Sequence, residues 1–242
     1  MTFVFTPSQN GTPQTLLIDA DDTLWENNIY FERSIADFIS FLNHHEFTPE
    51  QVRERLNQVE RESIKTHGYG LNSFANALCQ TFECLSVEAL TPELRERIHR
   101  FALRIAEHPV EIIHEVPETL AYLTAQKHHL ILMTKGAPAE QMSKVERSGL
   151  TEYFAAVEVV AEKHAEAYQL VAEKYGLDRD VTWMIGNSPR SDVNPALEAG
   201  LNAVFVPHDM TWILEHEELG SPSRSGQKLL KIQRFAELRQ HF

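Results

Sequence analysis

The stretch LLIDADDTLW, residues 16–25, runs three apolar residues into a cluster of carboxylates, Asp19, Asp21 and Asp22. Like charges this close repel, and burying them is expensive unless each finds a partner. A hard divalent cation would offset the repulsion, and Mg²⁺ is one that prefers oxygen ligands. If the chain coils just past Ile18, the Asp19 side chain and the Asp21 main-chain carbonyl can face one point. A solvated acidic turn would use the same residues. A calcium-binding EF-hand loop would not, because Leu24 and Tyr30 stand where such a loop, counted from Asp19, needs Gly and Glu.

Further polar groups lie at comparable places downstream. Thr134 is followed by Lys135, Gly136 and Ala137 and then by a helical pattern. A hydroxyl and main-chain N–H groups at a helix N-terminus suit a phosphate. Many ordinary strand-to-helix turns also carry Thr and Gly. Lys163, in VVAEKHAEAY, would supply local positive charge, or be a solvated lysine at a helix start. GNSPRSD, residues 186–192, adds Asn187 and Asp192, with helix capping by Ser191 or Asp192 as the alternative role.

These positions gain meaning from the elements that carry them. Short apolar runs at 16–18, 130–133, 157–160, 181–185 and 203–206 read as five buried strands of a mainly parallel sheet. Helix-length segments at 137–148, 164–175 and 190–199 separate the last four, with Gly149, Gly176 and Gly200 at their C-terminal ends. The alternation implies a doubly wound, Rossmann-like α/β layer, whose ligand site lies beyond the carboxyl ends of the strands. Asp19, Thr134, Lys163 and the Asn187–Asp192 loop all fall at that rim.

About 110 residues separate the first strand from the second, far more than a crossover requires. Phe31, Ile35, Phe38 and Leu42 keep helical spacing, as do Leu71, Phe74, Leu78 and Phe82, and then Leu94, Ile98, Phe101 and Ile105. Thr48-Pro49-Glu50-Gln51 reads as a capped helix start with a capping box, and Thr91-Pro92 as another start. An all-helical insert over 27–110 is expected. Thr66-His67-Gly68-Tyr69-Gly70 interrupts it, and either faces the site or is a plain interhelical turn.

Composition narrows the partners. The net charge of −13 leaves no basic face for nucleic acid or an anionic membrane. No apolar run is long enough to span a bilayer, and the opening MTFVFTPSQNGTPQ lacks the pattern of a signal peptide. Cys79 and Cys84 are too few for a disulfide framework or a structural zinc site, and the expectation is a chain with reduced thiols in the cytoplasm. The histidines, His44-His45 and His128-His129 included, show no ligand spacing and are expected at the surface. The segments HDMTWILEHEEL and KLLKIQRFAELRQHF read as amphipathic covers for the core.

DADDT at 19–23, Thr134 after an apolar strand, Lys163 about 30 residues later, and GNSPRSD ahead of NPALEAG resemble the motifs of the haloacid dehalogenase (HAD) superfamily in order and spacing. The resemblance covers about residues 15–210, and the helical insert resembles that superfamily's C1-type cap. It implies a core over 1–26 and 111–242, a cap over 27–110, and a Mg²⁺-dependent phosphatase acting on a small phosphorylated metabolite. By this resemblance Asp19 is the nucleophile that forms an aspartyl-phosphate. Asp21 is the general acid and then the base, its proton retained because neighbouring carboxylates raise its pKa. Thr134 holds the phosphoryl group and Lys163 balances its charge. Mg²⁺ sits among Asp19, Asp21, Asn187 and Asp192. Thr23, Lys135, Gly136 and Tyr69 contact phosphate or substrate.

Two departures stand out. Asp22 replaces a usual Gly and is expected to point away from the metal. Asn187 replaces a usual Asp, which implies weaker Mg²⁺ binding or a different ion. Several other activities compete with the phosphatase. A phosphomutase uses the same residues. The 2-haloacid branch lacks an acid at the place of Asp21. A receiver module carries its acidic pair one strand earlier, is about half as long and has no insert. A degenerate member that only binds its ligand has Asn187 as its sole hint. The oligomeric state is left open.

Overall fold

The computed structural model describes residues 12–43 and 46–242; the expectations for the extreme N-terminus and for His44-His45 fall outside them. The sheet is made of β1 (Thr15–Ile18), β2 (His129–Lys135), β3 (Ala156–Val160), β4 (Thr182–Gly186), β5 (Asn202–Phe205) and β6 (Leu229–Lys231). The strand order is β3-β2-β1-β4-β5-β6 and every pairing is parallel. The chain winds from β1 to one side, then returns to build the other, so the direction switches between β1 and β4. Register brings Ile18 opposite both Leu132 and Ile185. The residues just past those three therefore share one rim, where ligands of open α/β sheets bind.

Alternate strand residues point to opposite faces. Leu16, Ile18, Leu130, Leu132 and Ile185 pack on one side with Trp25, Leu120 and Phe235. Leu17, Ile131, Met133 and Met184 pack on the other with Tyr168, Val171 and Ala196. Both faces are thus covered, as an all-parallel sheet requires. The covering helices are α5 (Val116–Ala125), α6 (Pro138–Ser148), α7 (Ala165–Tyr175) and α8 (Asn194–Glu198).

The sixth strand was not expected. KLLK is two-sided: Leu229 packs with Val193 and Leu197, while Leu230 packs with the opposite cluster. A period of two is a strand signal, and four residues are too few to separate it from a helix by pattern. Beyond it Ile232 does cover the core, as do Phe235 and Leu238 on a short 3₁₀ turn. The expected helix 190–199 divides into a π turn over Pro189–Val193 and the short α8.

The insert after β1 is all helical, with α1 (Asn28–Leu42), α2 (Pro49–His67), α3 (Leu71–Leu85) and α4 (Pro92–Leu103). It has its own core of Phe38, Leu56, Phe74, Leu78, Phe82 and Ile98. The Thr48 capping box is formed, and the Thr91 hydroxyl accepts from the Leu94 N–H. Cys79 is buried and Cys84 exposed, both free. Among the described residues no helix is long and apolar enough to cross a membrane.

Candidate active site

A cavity of about 450 Å³ lies between the strand rim and the helical insert. Its wall includes Asp19, Asp21, Thr134, Lys135, Gly136, Lys163, Asn187, Asp192 and Tyr69. Thr23, only 2% exposed, lies behind the wall. Its hydroxyl lies within hydrogen-bonding distance of Asp19 Oδ2 at 3.0 Å and of Asn187 Oδ1 at 3.3 Å.

At the centre, the buried Lys163 ammonium donates to Asp19 Oδ1 and to Asp192 Oδ1, the latter at 2.7 Å. Asp192 is fixed by its other oxygen, which accepts the Ser188 N–H at 2.9 Å. This requires Gly186, since a Cβ there would stand 2.2 Å from Asp192 Oδ2. One cation against two carboxylates leaves an excess negative charge. Burial first, then Asp192, push the Asp19 carboxyl up to about 7, against the opposing pull of Lys163. Burial alone would lower the Lys163 pKa, but Asp19 and Asp192 hold it raised.

The donors around this centre are oxygens: Asp19, Asp192 and the Asn187 amide oxygen. Asn187 Nδ2 donates to Thr211 Oγ1 at 2.9 Å, so the hydrogen bonds turn the amide oxygen toward Thr23 and Asp19. Hard oxygen donors with surplus negative charge fit Mg²⁺.

Asp21 lies apart from this centre. Its carboxylate accepts from Trp25 Nε1 at 2.7 Å, from Lys144 Nζ at 2.6 Å and from Gln141 Nε2 at 3.1 Å. Burial pushes its pKa up, but Lys144, Gln141 and Trp25 outweigh burial and hold it below the usual carboxylate value. The expected retention of a proton is therefore corrected: a lysine one helix away, not the adjacent acids, sets its charge. Gln141 Oε1 also accepts from Thr134 Oγ1 at 3.3 Å, which ties Thr134 to the same network.

Asp22 does point away. Its φ of 60° is the left-handed conformation that glycine favours. Its carboxylate accepts from the N–H groups of Asn27 at 2.9 Å and Asn28 at 3.0 Å and so caps α1. Local bonding of this kind is what lets Asp stand in a left-handed position.

Two expected phosphate contacts are otherwise engaged. The Gly136 N–H donates to the Val160 carbonyl at 3.1 Å. Lys135 Nζ donates to Ser191 Oγ and Glu215 Oε1, each at 2.6 Å, and to Tyr69 OH at 3.3 Å. Burial opposes its charge, but Glu215, Tyr69 and Glu162 raise its pKa.

Tyr69 reaches from the insert into this network, donating to Glu162 Oε2 at 2.6 Å with its ring centroid 4.6 Å from the Lys135 ammonium. The Gly-Tyr-Gly break therefore faces the cavity. Beside it the Leu71 N–H donates to both Glu140 oxygens at 3.1 Å. A Cβ on Gly70 would sit 3.1 Å from Ala137 Cβ.

Sequence reasoning missed Lys144, Gln141 and Glu215, and read Ser191 only as a candidate helix cap, whereas its hydroxyl meets Lys135 and Glu215. The first two recur at helical spacing on α6, a signal available in principle; Glu215 belongs to a segment read as a plain cover. The histidines are not all fully at the surface: His208 is half-buried and contacts Glu26 at 3.2 Å, whereas His164 is exposed and caps α7 by accepting the Ala167 N–H at 3.1 Å.

A parallel sheet with a strand-end aspartate, a buried lysine at the same rim and an all-helical insert after the first strand is the architecture of HAD-type hydrolases. Residues 13–200 match the haloacid dehalogenase-like hydrolase family, and the chain belongs to that family of enzymes. It is 25% identical over 221 residues to a phosphoserine phosphatase of Thermus thermophilus, covering 79% of this chain and 87% of that protein. A haloacid dehalogenase-like hydrolase from Xanthomonas campestris superposes with a TM-score of 0.77 at 27% identity, covering 94% of this chain and 93% of that one. The magnesium-bound HAD hydrolase YfnB of Bacillus subtilis superposes at 0.66 with 20% identity, covering 94% and 97%.

Proposed function

We infer that this hydrolase cleaves a small phosphomonoester in a Mg²⁺-dependent reaction, through an aspartyl-phosphate on Asp19. The observation that carries this reading is the contact of Asp19 with Lys163 and Thr23 on the wall of a cavity that also takes in Thr134 and Asp192. In this reading residues 27–110 act as a cap over the core formed by 1–26 and 111–242. The phosphatase named among the relatives supports the substrate class.

An Asp19 carboxylate oxygen attacks phosphorus as the bond to the leaving alcohol breaks. Lys163 orients Asp19 and favours its ionised form, and Thr134 donates to a phosphoryl oxygen. Asp21 gives a proton to the leaving oxygen, then takes one from the water that attacks phosphorus, restoring Asp19 and releasing phosphate. The resting contacts suit the second half, since Asp21 is ionised against Lys144. For the first half it must leave Lys144 and gain a proton as the ester binds. Asp19, Asp192, Asn187 and the Asp21 carbonyl would hold Mg²⁺, which supplies charge neutralisation at the phosphoryl group. Lys135, engaged with Glu215, orders the rim rather than binding phosphate directly.

Turnover of 4-nitrophenyl phosphate with Mg²⁺ tests this directly. EDTA should abolish it, and Asp19→Asn should lower kcat by at least about 10³-fold. Undiminished turnover in Asp19→Asn would remove the nucleophile.

A further inference from the structure

Glu60 lies on α2, 7% exposed, and lines the roof of the cavity. Its Oε2 is buried without a hydrogen-bond partner. The nearby guanidinium of Arg53 is already engaged, donating to both Glu32 oxygens and to Asn57 Oδ1 at 2.9 Å. Other carboxylates on the wall have partners: Glu26 has His208, Glu140 has the Leu71 N–H and Glu215 has Lys135. Burial pushes the Glu60 carboxyl up to about 7, with Arg53 pulling it down and Glu32 pushing it up. A buried acid without a partner is a standing penalty that an incoming donor can remove.

The surroundings indicate which donor fits. Phe31 and Phe74 line the same roof, edge to face at 5.1 Å. The Ser63 and Ser73 hydroxyls share a hydrogen bond of 3.1 Å there. Aromatic rings, a carboxylate with an unpartnered oxygen and hydroxyl oxygens together suit an organic ammonium, which gains from ring faces and from charge pairing alike.

We propose that the cavity roof is a subsite for an ammonium group on the leaving alcohol, with Glu60 as its acceptor. The substrate class is then a phosphorylated amino alcohol. This rests on the phosphatase reading and adds the group that the helical insert recognises. Glu60 touches the leaving group only, so its role is specificity.

The test compares ω-aminoalkyl phosphates, two to six carbons long, with n-alkyl phosphates of equal heavy-atom count. The wild type should favour the amine of the best length by about tenfold or more in kcat/KM. In Glu60→Gln that ratio should fall toward one, whatever the absolute rates. Glu60→Met, of similar length and without donors, repeats the measurement should the amide disturb folding. A wild-type ratio at or below one at every length, or an equal ratio in the variants, overturns the proposal. Calorimetric titration with n-butylammonium chloride needs no turnover, and its binding should weaken about tenfold in Glu60→Gln. If neither these esters nor 4-nitrophenyl phosphate is hydrolysed, the phosphatase reading fails and this titration decides the subsite. Equal binding by wild type and variant counts against it.

Discussion

The floor and the roof of the cavity are built from opposite materials. On the floor, charges are dense and paired: Lys163 with Asp19 and Asp192, Lys144 with Asp21, Lys135 with Glu215. Strand ends, helices and loops of the rim each contribute to these pairs, so moving one group disturbs its partners. The roof is largely apolar, with Phe31, Phe74, Ile35 and Ala77, and its acid Glu60 has an oxygen left unpaired. In the proposed reaction the floor would do the chemistry, while the roof would select among substrates for it. A paired buried charge is costly to break, and an unpaired one is costly to keep.

That contrast can be broken most forcefully at Lys163. Lys163→Met would leave Asp19 and Asp192 facing each other without a cation. Unfolding in denaturant should show a loss of about 3–5 kcal/mol. A loss under 1 kcal/mol would mean that the floor does not depend on its pairing.

Glu60→Gln sharpens the other side. Because burial raises the Glu60 pKa from 4.5 to about 7, its contribution to stability is fully present below about pH 4.5 and lost as pH rises through 7. The variant should therefore gain on the wild type by about 1–3 kcal/mol between pH 5 and 8. Parallel pH–stability curves would show that the acid is not strained.

Lys144→Met separates the two aspartates of the floor. Without its cation the Asp21 pKa rises, so a larger fraction is protonated at any given pH. The alkaline limb of kcat/KM should move up by about one pH unit or more. An unmoved limb would take Asp21 out of the acid role.

The smallest effect is expected at Asn187. Asn187→Asp should tighten Mg²⁺ by about tenfold in a calorimetric titration, since another carboxylate faces the ion. The metal-free protein should lose stability, because the new charge lies beside Asp19. Equal affinities would assign Asn187 no part in the metal site.

The convergence of Asp19, Thr134, Lys163 and Asp192 was legible because their strands are short, apolar and parallel. Once such strands pair in register, their ends must share a rim. The helices of the insert were legible from periodicity and from the caps at Thr48 and Thr91. What could not be read were contacts made across elements. Asp21 meets Lys144 more than a hundred residues away, so its neighbours in the chain gave the wrong direction for its pKa. Glu215 reaches Lys135 from an irregular segment with no pattern of its own. The strand at Leu229–Lys231 is too short to declare a period. Glu60 reads as one polar residue in an amphipathic helix, and only the tertiary fold turns it inward.

The left-handed Asp22 has a mechanical consequence. Its carboxylate clasps the first turn of α1, and Asp22 stands three residues after Asp19. A glycine at this corner would act as a loose pivot; the clasp makes it a stiff lever. A tilt of α1 would then be felt at the loop that carries Asp19. In the proposed reaction, access to the cavity and alignment of the Asp19 oxygen would then be one movement rather than two.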